Sequence, residues 1–593
     1  MLNRMGDFTT DGRRLALLSA IAVALGILAA LVAFVLLRLI GLITNVAFFS
    51  RFATNLASPD YGVRGLWGVL VPVVGGLVVG LIARYGSDKI RGHGIPEAIQ
   101  SILERDSHIQ ARVAFFKPIA SAVTIGTGGP FGAEGPIIMT GGALGSLIAQ
   151  YFNMSSLERR TLLVAGAAGG MSATFGAPIS SVFLAVELLL FEWRPRSFIP
   201  VAVAAVVAFA MRTLIMGNDP IFGAPRLHTL GWQMLPWALL VGVAAGLGSG
   251  ILTKLVYVVE DAYHKLPIHW MWWPAIGGLA VGIGGLFDAR ALGVGYPTIR
   301  ALVTGNVVLE AALAIIVVKT AIWILSLSSG TSGGVLAPLL LIGGALGALL
   351  SPIIPGHDAA IWAAIGMAAM LGGTMRAPFT ATIFAMETTH AWGLITPVFV
   401  GCIGAMVVTV LLVQRSILTE KIARRGTHVA REYSVHPLEG TAVSQIMVPR
   451  EQAVTVRAED RLADVAPAFA AMAPPYNHNT YPVVDEGGRV VGIVHHNELV
   501  ARAGDRESGA MRISDVMRAP VIVHRERRVR TAVERMAKTS RHSVVVVDER
   551  GEWVGYLSQG DVLRAWRRAI QGEEKRVRMR SIRRGVLNAP PVR

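Results

Sequence analysis

Two internal repeats and one sharp change in composition predict the architecture: an all-α polytopic membrane domain made of two similar halves, followed by a soluble α/β domain that is itself duplicated. The 593 residues are 53% hydrophobic and 16% charged, a balance that suits a membrane protein better than a single soluble core. Apolar runs at 15–37, 66–82, 237–252 and 311–327 each approach the roughly 20 residues that cross a bilayer. Beyond about residue 430 such runs stop. The expected organisation is a cytoplasmic N-terminal segment (1–12), the membrane domain (13–425), a linker (426–440), two soluble copies (441–505 and 506–569) and a basic tail (570–593).

The formal net charge of +16 would suggest nucleic acid in a soluble protein, but its placement points to a membrane. Residues 564–593 hold ten Lys/Arg against Glu573 and Glu574, a pattern suited to anionic lipid or to the cytoplasmic side. No nucleic-acid motif accompanies it. Cys402 is the only cysteine, so no intrachain disulfide can form. Arg4, Arg13 and Arg14 precede a first apolar run that is too long for a cleaved signal peptide, placing the N-terminus in the cytoplasm.

Within the membrane part, the stretch GGPFGAEGP (128–136) runs directly into an apolar helical segment. Its glycines and prolines end one helix and start another, and Glu134 falls in the new first turn. A carboxylate at that depth is costly and marks an ion path or proton relay by default; alone, it could also cap its own helix. The repeat favours the path. Residues 165–178, continuing to Glu187, recur at an offset of 200 as 365–378, continuing to Glu387. The block Glu134-Gly-Pro136 with Gly141-Gly-Ala-Leu-Gly145 recurs at an offset of 202 as Leu336-Ala-Pro338 with Gly343-Gly-Ala-Leu-Gly347. Repeated halves with Gly/Pro-interrupted segments at matching positions point to a transporter whose broken helices meet near the bilayer midplane. Irregular backbone is tolerated there only when buried or lining a cavity, so 128–136 and 329–338 should face each other. Gly142 and Gly166 are expected simply to permit close helix packing.

A third break, GHGIPE (92–97), again puts proline near a helix start. Three helix N-termini, near 94, 134 and 335, could then converge, and their bare N–H groups favour an anion that can bind and still leave.

The blocks GHGIPE (92–97), GAEGP (132–136) and GGVLAP (333–338), with the repeated halves, resemble the CLC family of chloride channels and chloride/proton antiporters over residues 13–425. That resemblance implies a homodimer with one pore per subunit, inverted-topology halves and about 18 helical segments. It implies that Glu134 is the gating glutamate, seated in an anion site when ionised and released when protonated. Anion-binding positions carried over with it are His93, Gly94, Ile95, Gly132, Ala133, Gly135, Gly334, Val335, Leu336 and Leu418. Several depart from the family pattern: His93 stands for a serine, Ala133 for a basic residue, Leu336 for an aromatic and Leu418 for a tyrosine. Backbone amides would therefore have to hold the chloride.

The family's second, inward-facing glutamate falls at Leu188, with Glu192 four residues on as a substitute that could reach the same helix face or pair instead with Arg194 or Arg196. Leu188 favours uncoupled, channel-like conduction; chloride/proton antiport is the alternative. His93 is expected near the inner mouth, where an imidazole could sense pH or bond to backbone. Lys319 is expected to be paired internally or to face a cavity.

In the soluble part, residues 483–499 recur 63 residues later as 546–562, each copy preceded by an Ile/Val-Met pair at 446–447 and 516–517. Each reads as a strand, a helix, two strands and a helix, with Asp485-Glu-Gly-Gly and Asp548-Glu-Arg-Gly as hairpin turns. The part resembles a pair of CBS domains, which implies a possible adenine nucleotide near Ser558 and Asp561, or a purely structural clamp. CBS pairs also accompany intramembrane metalloproteases, but the His-Glu-x-x-His zinc motif does not occur in the chain. A magnesium-type transporter would want clustered carboxylates, whereas Glu134, Glu187 and Glu387 lie on separate segments. No enzyme activity and no metal are expected.

Overall fold

The computed structural model describes residues 12–62, 65–223, 231–355, 358–425, 441–470, 480–501 and 511–574. The expected linker 426–440, nearly all of the N-terminal segment and the tail from 575 onward lie outside the described residues. The described chain forms two compact units, one before the linker and one after it.

Among the described residues of the membrane unit the regular elements are all helical. Eight helices among the described residues are long and apolar enough to cross a bilayer, from Gly12–Phe49 to Trp392–Ala423. Between them lie shorter, fully packed pieces, because glycine and proline interrupt the apolar sequence where the repeat predicts. Helix Glu134–Tyr151 packs on Ser156–Phe175 through Gly141 and Gly166, each glycine meeting the other's carbonyl. Leu336–Leu350 packs on Ala359–Met375 through Gly343 and Gly366 in the same way. A side chain at any of these positions would push the paired backbones apart.

The two halves are tied by reciprocal capping. Glu187, in the π-helical turn Ala185–Leu190, accepts hydrogen bonds from the amides of Phe379 and Thr380 (3.3 and 2.8 Å) and from the Thr380 hydroxyl (2.5 Å). Glu387 accepts from the amides of Ile179 and Ser180 (2.9 and 2.8 Å). Each acid thus neutralises the start of the helix that carries the other, supplying an acceptor to N–H groups that have no partner within their own helix. These bonds explain both carboxylates without a cation, and no metal-binding cluster occurs among the described residues.

Two buried lysines repeat the symmetry at an offset of 202. Lys117 Nζ donates to the carbonyls of Ile90 and Gly92 (2.7 and 2.5 Å), and Lys319 Nζ donates to those of Ala291 and Gly293 (both 2.8 Å). Each ammonium holds the end of a short 3₁₀ turn just before a glycine with positive φ, Gly94 (91°) and Gly295 (82°). Helices Ile95–Glu104 and Tyr296–Val303 begin immediately after those glycines. The break at 92–96 therefore has a counterpart at 293–297.

In the soluble unit, strands 456–457, 480–484 and 490–495 make one sheet, and 448–449, 553–558, 543–547 and 522–524 make the other. In each, a parallel strand and an antiparallel hairpin are linked through a helix, Leu462–Ala470 or Val529–Thr539. The segments before each copy are exchanged. Val448 pairs with Tyr556 on the second sheet, and Arg518 bridges Ile493 on the first. The hairpin turns close at Gly488 (φ 72°) and Gly551 (φ 80°).

Candidate functional site

The breaks at 92, 132 and 334 meet inside the membrane unit. Gly132 and Gly334 form an antiparallel bridge, their amides donating to each other's carbonyls (3.3 and 2.9 Å), while Gly92 bridges Ser332. Gly135 lies so close to the His93 carbonyl that a Cβ there would overlap it, and that Cβ would stand 3.1 Å from Gly334 Cα. The starts of Ile95–Glu104, Glu134–Tyr151 and Leu336–Leu350 are thereby held against one another.

Glu134, wholly buried, turns its carboxylate across the bridge into the start of the opposite helix. Oε1 accepts from the amides of Leu336 (2.6 Å) and Ala337 (3.1 Å); Oε2 has no hydrogen-bond partner among the described residues. A Cβ at Gly132 or Gly334 would enter the space of this carboxylate, which accounts for glycine at both positions. The seat offers two N–H donors at a helix start, the kind of arrangement that suits an anion, and the Glu134 carboxyl occupies it.

The donor set differs from the expected one. Gly132 and Gly334 use their amides on each other, and the Gly94 amide donates to Glu97 Oε2 (3.0 Å), because buried backbone must satisfy itself first. The effective donors lie at Leu336 and at Ala337, a residue the sequence did not single out. Ile95, Ala133, Val335 and Leu336 are completely buried around the junction. His93 is only 3% exposed, closed in by the zipped loops rather than open at a mouth, and its Nδ1 has no partner among the described residues.

Leu418 is buried in the short helix Ile417–Ala423, whose Lys421 pairs with Glu97 at 2.9 Å. The tyrosine hydroxyl found in that neighbourhood belongs to Tyr257, and it donates to the Ile417 carbonyl (2.5 Å).

Leu188 is buried in the π-helical turn. Glu192 does not share its helix face: the turn ends at Leu190, and Phe191 takes a left-handed conformation (φ 53°). Glu192 instead accepts from the Ser197 hydroxyl (2.5 Å) and pairs with Arg194 (3.6 Å) and Arg196 (3.9 Å). The four-residue spacing misled because it assumed a continuous helix.

In the soluble unit, Asp561 Oδ2 accepts from the Ser558 amide (2.9 Å) and hydroxyl (2.6 Å), and its other oxygen pairs with Arg564. Glu498 makes the matching contacts with the His495 amide (3.4 Å) and with Arg518. Both acids sit in the first turn of their own helices, His496–Ala501 and Gln559–Glu574, and cap them by reaching back to the amide just before the helix.

Comparison with known proteins agrees with this geometry. The family model described as voltage gated chloride channel matches residues 74–410, and the CBS domain model matches 443–504 and 513–568. An H(+)/Cl(-) exchange transporter ClcA of Klebsiella pneumoniae is 30% identical over 374 residues, covering 59% of this chain and 78% of the relative. Its counterpart in Salmonella paratyphi B is 31% identical over 352 residues, 56% and 73% of the two chains. The fold is shared with a slow cyanobacterial Cl-/H+ antiporter (TM-score 0.61, 22% identity, 70% of this chain and 99% of that one). It is shared likewise with a eukaryotic CLC transporter (TM-score 0.59, 20% identity, 92% and 97%). With its broken helices meeting over a buried glutamate and a CBS pair following in the sequence, this chain belongs to the CLC family of anion channels and transporters.

Proposed function

We propose that the chain exchanges chloride for protons across a membrane, with Glu134 as the gate. The observation that carries this is the bonding of Glu134 Oε1 to the Leu336 and Ala337 amides. A chloride ion needs those same donors, so anion and carboxylate exclude each other. Protonation weakens the carboxyl as an acceptor and removes its charge; it then leaves the seat and the anion enters. One proton and one anion site are linked through a single side chain.

Exchange is favoured over the channel-like conduction that Leu188 suggests because the relatives at about 30% identity are exchange transporters by name. Leu188 supports the channel alternative, since a buried apolar side chain carries no proton. Purified protein in chloride-loaded liposomes decides between them. Under a pH gradient, exchange displaces the reversal potential from the chloride equilibrium value toward that of the proton and moves protons uphill; a channel reverses at the chloride value. A homodimer with one pore per subunit is the assembly implied by the family. For the CBS pair, the commitment of Asp561 to Ser558 and Arg564 supports a structural role over a nucleotide seat.

A further inference from the structure

Glu134 Oε2, Tyr296 Oη and Arg212 Nε are among the buried polar atoms that have no hydrogen-bond partner among the described residues. Such orphans are rare in folded proteins and call for a specific cause. Tyr296 connects them. It opens helix Tyr296–Val303 directly after Gly295, and its ring packs edge-on against Phe175 (centroids 6.3 Å apart) and Phe222 (5.6 Å). The charged groups acting on its hydroxyl are Glu134 and Arg212, and a Cβ on the preceding Gly295 would stand 3.7 Å from Lys319 Nζ, the ammonium that also acts on Glu134. Phe175 and Arg212 in turn line a cavity of about 150 Å³ that also reaches Asp219, Glu387 and His390. At about 30 Å³ per molecule, that cavity has room for several waters.

We infer that Tyr296 is a positioning residue for the gate: its hydroxyl is the hydrogen-bond partner that receives the Glu134 carboxyl after it leaves the Leu336 and Ala337 amides. The inference rests on the gating role proposed for Glu134. In the seated state the acid has both donors on Oε1 and the hydroxyl has none; in the released state the neutral carboxyl and the phenol satisfy each other. The proton is supplied by bulk solvent and relayed to the carboxyl by water in the adjoining cavity, which ends the step as neutral water. The other charges facing this path are Lys319, which acts on Glu134, Arg212, Asp219, His390, and Glu387, which is held by the Ile179 and Ser180 amides.

The test is chloride flux from liposomes holding the full chain, measured against external pH for the parent, Tyr296→Phe and Glu134→Gln. Phenylalanine keeps the ring contacts and deletes an unpartnered hydroxyl, so folding loses no hydrogen bond. Without its partner the released acid is less favoured and more protons are needed. The half-activation pH of Tyr296→Phe is expected to fall by about 0.5–1 unit, a three- to tenfold change in proton concentration that matches one ordinary hydrogen bond. The maximal flux at saturating acid is expected to stay at the parent value, which a merely structural defect would not preserve. A parental midpoint in Tyr296→Phe, with pH dependence abolished in Glu134→Gln, overturns the role of Tyr296 alone. Parental pH dependence in Glu134→Gln overturns the gate itself.

Discussion

Replacing either reciprocal cap by its amide, Glu187→Gln or Glu387→Gln, measures how strongly the two halves are joined. Glu387 takes two backbone N–H groups at 2.9 and 2.8 Å. Glutamine has one oxygen for one of them and turns its own NH₂ toward the other, leaving two donors face to face. A hydrogen bond to a charged group contributes about 1.5–3 kcal/mol, and a buried donor left unmatched costs about 1–3 kcal/mol. Loss of negative charge at a helix start adds about 0.3–1 kcal/mol. With partial relaxation, about 3 kcal/mol per substitution is expected. At about 2.1 cal/mol/K per residue, a unit of roughly 400 residues loses about 3–4 °C in Tm.

The two caps lie along one segment, with Glu387 on the Ile179 and Ser180 amides and Glu187 seven residues after Ser180, about 10 Å at 1.5 Å per residue. The double variant should therefore lose about twice as much as either single one. Tryptophan fluorescence during a thermal ramp in detergent, at one scan rate for all variants, reads the shift. Single variants within about 1 °C of the parent would refute ionised capping and mean that the carboxyls are held neutral.

Gly135→Ala places a methyl against the His93 carbonyl; chloride flux is expected to fall at least tenfold while the protein still elutes as a single species. Lys319→Met strips the Ala291 and Gly293 carbonyls of their shared donor, at about 1–3 kcal/mol for each acceptor left bare, and a lower Tm checks it. Asp561→Asn removes the charged cap on Ser558, worth about 1 kcal/mol. Because that acid is already engaged, millimolar ATP, ADP or AMP is expected to leave the parent's Tm unmoved; a clear rise would establish a nucleotide seat. His495 has its imidazole held below the ordinary value, chiefly by burial, with Arg518, His542 and Arg541 acting the same way and Glu498 opposing. The folded state then prefers the neutral ring. Its contribution is complete above the unfolded value near 6.5 and is lost as pH falls below it. His495→Gln should accordingly flatten the acid-side decline in Tm between about pH 7.5 and 5.5.

Much of this was legible because glycine and proline write backbone breaks directly into sequence. The convergence of 94, 134 and 335 followed from three such breaks, and the pairing of 128–136 with 329–338 from the offset of the repeat. The counterpart of the first break escaped notice because only its two glycines and its proline recur in Gly293-Val294-Gly295-Tyr296-Pro297, with His93 and Ile95 replaced. Lys117 and Lys319 stand at the offset already known for the gate block, a signal that could have linked them. The donor set at the seat was not legible. Which amides face outward depends on how the loops at Gly132 and Gly334 satisfy their own hydrogen bonds, and spacing does not encode that. Glu192 shows the reverse error, a helical spacing applied past the point where the helix ends.

Because each half keeps the acid that the other needs, the first half cannot be completed when it emerges from the ribosome. The helix beginning at Pro178 waits for Glu387, 207 positions after Ser180, an interval of about 10–40 s at 5–20 residues per second. Through that delay its leading amides must turn to water, lipid headgroups or an insertion factor. Cutting the gene between the halves should therefore give two fragments that are each degraded when made alone and that rescue each other when made together.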